Sequence, residues 1–187
     1  MNLNSHHTAR IFMIVAIIGS ILFGNARCMN KETKEILKIF EIGENRDNLS
    51  VRNDLNDRYA DAMNLTSLAN RYNYSDASLR ELNDITADMK NLLSTSSLKN
   101  INKLAPLNRE LTTSFNEVYS DLLTIITKET DKKLLVGLYD DFHSSGNIIS
   151  HSYYNQAALE YNELVQSFPN NVLSLFNKSQ QVSLFGD

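Results

Sequence analysis

Asp140 and His143 stand three residues apart, the spacing that puts an acid and a histidine on one helical face, and such a pair can ligate iron in a bundle core. A di-iron bundle needs two such pairs and two further inward-facing glutamates. This chain offers one pair, and Glu110, Glu117 and Glu129 fall outside its apolar stripes. A solvated acidic face is the better reading of Asp140 and His143, so no metal ligand is expected. His143 and His151 have the chemistry of a general base, but no serine or cysteine nucleophile sits in a recognisable motif. Neither a G-x-G-x-x-G turn nor a Walker loop is present. His6 and His7 fall in the leader. The expectation is a chain that is not an enzyme, with no catalytic residue, no cofactor and no evident small-molecule substrate.

The single cysteine, Cys28, excludes an intramolecular disulfide, and no Cys/His cluster offers a structural zinc site. The formal net charge is −4, and the first thirty residues hold Arg10 and Arg27 but no acid, so the remainder is more acidic still. That sign repels a phosphate backbone, and no basic aromatic stripe offsets it. Nucleic acid is not an expected partner.

The most patterned polar residues are Tyr154-Asn155 and Tyr161-Asn162, repeated at seven residues, with Phe168-Pro169 seven further on. Seven residues make two helical turns, so the aromatics line one edge and the asparagines lie beside them. The tyrosines would bury rings while their hydroxyls reach a partner or water. The asparagines would bond across helices and fix register, or present a protein-binding surface.

The elements that carry these residues are amphipathic helices. With two prolines and six glycines in 187 residues, long uninterrupted elements are allowed. No period-2 run of branched residues marks a strand. Val51, Leu55, Tyr59, Ala62, Thr66, Ala69 and Tyr72 recur at gaps of three and four, as do Leu79, Leu82, Ile85, Met89 and Leu92. Ser78 and Glu81 could form a capping box at the start of the second stripe, with Ser75 as an alternative cap. A third stripe joins Leu104, Leu107, Leu111, Phe115, Val118, Leu122 and Ile125, with Pro106 expected in its first turn. The stretch from about Ser94 to Lys103 is expected to be the longest connection. A fourth stripe, over residues 131–167, joins Leu134, Leu138, Phe142, Ile149, Tyr153, Ala157, Tyr161, Leu164 and Phe168. As one helix it would span about 55 Å, with a kink or break expected at Gly146 and a stop at Pro169. Each stripe is one face wide, so each helix must bury it against others. The expected fold is all-α, an antiparallel four-helix bundle with long helices over residues 51–187. Phe176 and Phe185 are the large anchors of the tail.

Ahead of the bundle, residues 30–50 mix charges with Ile36, Leu37, Ile39 and Phe40, and are expected to be a linker with some helix, ending near Gly43. Residues 1–29 hold the uncharged run IFMIVAIIGSILFG at 11–24, flanked by Arg10 and Arg27. A membrane-spanning helix needs about 20 apolar residues, whereas about 10–14 suits a signal-peptide core. Gly24-Asn25-Ala26 has the small-x-small form of a cleavage site. Counted to Met29, the run could remain as a short anchor with snorkelling flanks. Lys31, Lys34 and Lys38 after the run favour a cytoplasmic body, while the signal-like layout points to an extracytoplasmic one. Arg27 before Cys28 argues against lipid attachment there.

The segment Y-N-x-x-A-x-x-Y-N-x-x-V-x-x-F-P, from Tyr154 to Pro169, resembles the C-terminal signature of the LemA family of bacterial membrane-associated proteins. Glu117-Val-Tyr-Ser-Asp-Leu122 resembles that family's E-x-Y-P-x-L, with Ser120 in place of proline. Arg58-Tyr-Ala-Asp61 with Asn64-Leu65 resembles its R-R-x-D-L-I-P-N-L, with a one-residue gap and no proline. The family's charged E-x-R and A-R-R positions are replaced by Ser144, Gly146 and Ser150-His151-Ser152. The resemblance implies a short N-terminal membrane segment, a long antiparallel helical bundle and no established catalytic activity. Together these readings predict a membrane-tethered scaffold or interaction protein of the bacterial cell envelope, held in the membrane through residues 11–24, with a protein partner. A cleaved secreted or periplasmic binding module is the alternative, and a metal-dependent enzyme a more distant one.

Overall fold

The computed structural model describes residues 3–44, 49–171 and 180–186, and the described elements are six α-helices. They are α1 (Leu3–Ile42), α2 (Val51–Arg71), α3 (Ala77–Leu93), α4 (Leu98–Ile125), α5 (Glu129–Ser150) and α6 (Tyr153–Gln166). The fold is all-α, and α2 to α5 run up-down-up-down through short connections, with α2 packed on α5 and α3 on α4. The C-terminal part of α1 packs on α6 at one end of this bundle.

Three of the bundle helices start where a side chain takes an orphan amide. Ser50 Oγ accepts from Asn53 N at 3.3 Å to open α2, and Ser97 Oγ accepts from Asn100 N at 3.1 Å to open α4. Asp76 caps α3 through Ala77 N, so the cap falls between the expected Ser75 and Ser78. Because α4 begins at Leu98, the connection before it is shorter than expected. Pro106 consequently lies inside the helix rather than in its first turn. At the far end, Tyr72 Oη donates to Asp131 Oδ2 at 2.8 Å and Tyr74 Oη donates to Asp121, joining the α2–α3 turn to α4 and α5.

The stripes form one core. Leu55, Ala62, Leu65, Leu82, Met89, Leu111, Phe115, Leu122 and Phe142 are all buried, and Phe115 stacks on Phe142 with ring centroids 3.8 Å apart. Where the stripe was one residue out of phase, its neighbour fills the core: Leu135 for Leu134, Tyr154 for Tyr153 and Ile126 for Ile125.

Two expectations are corrected. The 131–167 stretch is two helices, and it breaks at His151-Ser152 rather than at Gly146. Helix α5 runs through Gly146, beside the Arg58 side chain: a Cβ there would stand 3.4 Å from Arg58 Cζ. The break is held by Asn155, whose Nδ2 reaches the Ile149 and Ser150 carbonyls at 2.9 and 3.0 Å. These are C-terminal carbonyls that would otherwise lack an intrahelical donor.

The second correction concerns residues 30–50. Helix continues without interruption from the apolar run to Ile42, and Met29, Ile36 and Phe40 belong to the core. Gly43, at φ 81°, ends it in the left-handed conformation that glycine adopts without strain. Residues 30–42 are therefore part of a structural helix of the bundle. Arg52 fixes its end, donating to Glu41 Oε1 at 3.0 Å and to Leu93 O at 2.9 Å.

Candidate functional site

The tyrosine-asparagine repeat lies on α6, and its partner is the chain's own C-terminal segment. Asn155 Oδ1 accepts from Phe185 N and Asn155 Nδ2 donates to Phe185 O, each at 2.8 Å. Asn162 does the same for Val182, again at 2.8 Å in both directions. From α4, Asn102 donates to Gln181 O at 2.8 Å and accepts from Ser183 N at 2.7 Å, bracketing Val182 from the other side. Tyr154 Oη donates to Ser183 O at 3.1 Å.

This register follows from two elementary lengths. Seven residues of α-helix rise about 10.5 Å, and three residues of extended chain reach about 10 Å. Asparagines seven apart on α6 therefore meet main-chain groups three apart on an extended segment running the opposite way. A carboxamide presents one donor face and one acceptor face, so it pairs with both groups of a single residue.

Val182 and Phe185 are both buried. Phe185 enters an aromatic cluster with Phe40 of α1 and Tyr154 of α6, at centroid separations of 5.9 and 5.7 Å, and Phe40 and Tyr154 are 5.6 Å apart. Burial pushes the Tyr154 phenol far above its ordinary value, so it stays a neutral donor. Tyr161 is buried as well and pairs with Thr33 Oγ1 of α1 at 3.1 Å. The repeat thus joins three elements, with tyrosines toward α1 and the tail and asparagines toward the tail.

Of the six singled-out residues, Tyr154, Asn155, Tyr161 and Asn162 come together here. Phe168 and Pro169 do not. Helix α6 ends at Gln166, and Phe168 beyond it is 82 % exposed, off the stripe on which it was expected. Asn162 bonds the tail main chain rather than a neighbouring helix, and Asn155 bonds both the tail and the last carbonyls of α5. Of the two expected tail anchors, Phe185 is buried, and Phe176 lies outside the described residues. Asn102 carried no sequence signal, because its partners are main-chain atoms.

Beside the end of this segment lies a cleft of about 250 Å³ whose lining includes Arg58, Arg109, His143, Asn147, Phe185 and Gly186. Arg58 is buried within the bundle. Its guanidinium donates to Asn108 Oδ1 and, at 2.6 Å, to Thr112 Oγ1, and lies 4.0 Å from the Phe142 ring centroid. His143 Nε2 sits 2.9 Å from Asn116 Oδ1, within hydrogen-bond distance. Burial, reinforced by the Arg58 charge and opposed by Asp140, lowers its pKa. His143 is therefore a neutral, hydrogen-bonded side chain, packed against Tyr139 at 4.3 Å. Among the described residues, no three His, Cys, Asp or Glu side chains gather as a metal set.

The remaining unusual surface is α1. Between Ile11 and Phe23 its large apolar side chains are exposed, Phe12 at 72 % and Ile17 at 52 %. Arg27 lies over the Phe23 ring at 5.7 Å, an aromatic-cation pair at the edge of the apolar run. By length and composition this helix can cross a membrane. No protein-family model matches the chain, and no curated protein or solved structure does either.

Proposed function

We propose that the protein is a membrane-tethered helical interaction protein, LemA-like in plan, that holds its bundle at the surface of a bacterial cell membrane and works by binding a protein partner rather than by catalysis. The observation that carries this is the two-part character of α1. Its first half exposes the large apolar side chains from Ile11 to Phe23, and its second half puts Ile36 and Phe40 into the core. One continuous helix thus couples the membrane segment to the bundle with no flexible joint between. Transferring that apolar half from water to hydrocarbon supplies the drive, about 25 cal/mol per Å² removed from water.

The single cysteine supplies a test of side and anchoring together. Cys28 is exposed immediately after the apolar run. A membrane-impermeant maleimide added to intact cells labels Cys28 on membrane-pelleted, full-mass chain if the bundle is extracytoplasmic. Labelling confined to lysed cells would place the bundle inside. A chain recovered in the soluble fraction and lacking its first 26 residues would overturn the tether and favour the secreted module.

A further inference from the structure

We infer that the α4–α6 groove is an extended-peptide site, and that residues 180–186 are its tethered, replaceable ligand. Its occupant in trans is a segment of another protein with a branched apolar residue followed three positions later by an aromatic one. This deepens the interaction-protein reading by naming the partner's chemistry. It does not depend on the membrane tether, so the two fail separately.

The groove recognises a main chain. Asn155, Asn162 and Asn102 contribute six hydrogen bonds to Gln181, Val182, Ser183 and Phe185 backbone groups. All of these are available from any extended peptide. Sequence is read at two places, the Val182 seat and the Phe40–Tyr154 aromatic seat, with Ser183 and Leu184 half-buried between them and Gln181 and Gly186 exposed on either side. A site built for its own tail alone would need no such generality. It is the arrangement by which an extended peptide is taken up with backbone bonds for affinity and spaced pockets for specificity. The tail competes as an intramolecular ligand at an effective concentration on the order of millimolar. A partner peptide must therefore match or exceed the tail's fit, which makes the tail a threshold against weak ligands.

The test uses the full chain in detergent and a fluorescent peptide of the sequence Gln180 to Asp187. Phe185→Asp, which empties the aromatic seat in cis, binds the peptide at least about tenfold more tightly than the unaltered chain does. A peptide with alanine in place of its phenylalanine does not bind, and adding Asn155→Ala to the Phe185→Asp chain removes binding. A folded Phe185→Asp chain that takes the peptide no better than the unaltered chain would overturn the inference. Amide exchange on the unaltered chain gives an independent reading if that variant does not fold. The Val182 and Phe185 amides exchange at least about 100-fold faster than those of Leu65 and Leu111, because a replaceable segment opens without global unfolding. Equal rates would make the segment an inseparable part of the core and contradict the inference.

Discussion

Asn155 pairs with both main-chain groups of Phe185, thirty residues away, while the same carboxamide reaches the last carbonyls of α5. One side chain therefore sets the α5–α6 break and seats the tail. Asn155→Ala leaves buried main-chain groups without partners, at a cost of about 1–3 kcal/mol. For a chain of this size the melting temperature falls by roughly 2–4 °C per kcal/mol. Gln156→Ala, one position along and exposed, stays within about 0.5 kcal/mol of the unaltered chain. Thermal melts of the two variants check the contrast.

Tyr161 separates packing from hydrogen bonding. Its ring is buried between α1 and α6, and its hydroxyl meets Thr33. Tyr161→Ala costs about 3–5 kcal/mol, and Tyr161→Phe only about 0.5–1.5 kcal/mol. Equal melts for Tyr161→Ala and the unaltered chain would move the tyrosine from the core to a binding surface.

The two glycines of α5 respond differently to substitution. Nothing lies within 4 Å of a Cβ at Gly137, so Gly137→Ala stabilises by about 0.5–1 kcal/mol through helix propensity. At Gly146 a Cβ would lie in ordinary contact with Arg58, but a leucine would have to displace a guanidinium already bonded to Asn108 and Thr112. Gly146→Leu destabilises by about 1–3 kcal/mol. Urea unfolding of both variants measures the pair.

These residues also show what the sequence made legible. The four bundle helices announce themselves because Leu, Ile and Phe at gaps of three and four must share a buried face. Arg58 does not, since a pattern of apolar residues treats it as surface; stacking on Phe142 is what lets it enter the core. The buried face of residues 29–42 was masked by Lys31, Glu32, Lys34, Glu35 and Lys38 between Met29, Ile36 and Phe40. Spacing exposed the tyrosine-asparagine repeat, but its partner stayed hidden because an extended main chain has no side-chain signature. The α5–α6 break lacks glycine or proline, and comes instead from Asn155 reaching back to two carbonyls.

The pH dependence follows from two aspartates on α2. Asp54 is pushed up to about 6 by burial and by Asp57, and Asp61 to about 6 by burial, Asp141 and Asp57, against a lowering by Arg58. A folded-state pKa above the unfolded value means the folded chain binds more protons between about 4 and 6. Stability contributed by these groups is therefore gained as pH falls through 6 and lost as it rises. Asp61→Asn raises the melting temperature at pH 7.5 by about 1 °C or more, discounted for partial exposure, and flattens its fall between about pH 4 and 6. A steeper fall in the variant would contradict the assignment.

The coupling of membrane segment to bundle through α1 is tested most directly by partition of the intact full chain after an alkaline wash, with its mass determined. Ile14 and Ile18 are exposed, so Ile14→Arg/Ile18→Arg leaves the core untouched while adding about 2.5–3.5 kcal/mol per charge to insertion. The predicted result is an unaltered chain that stays in the membrane pellet at full mass, and a double variant that moves to the supernatant with an unchanged melt. An unaltered chain found in the supernatant, at the mass of a chain beginning at Arg27, would contradict it.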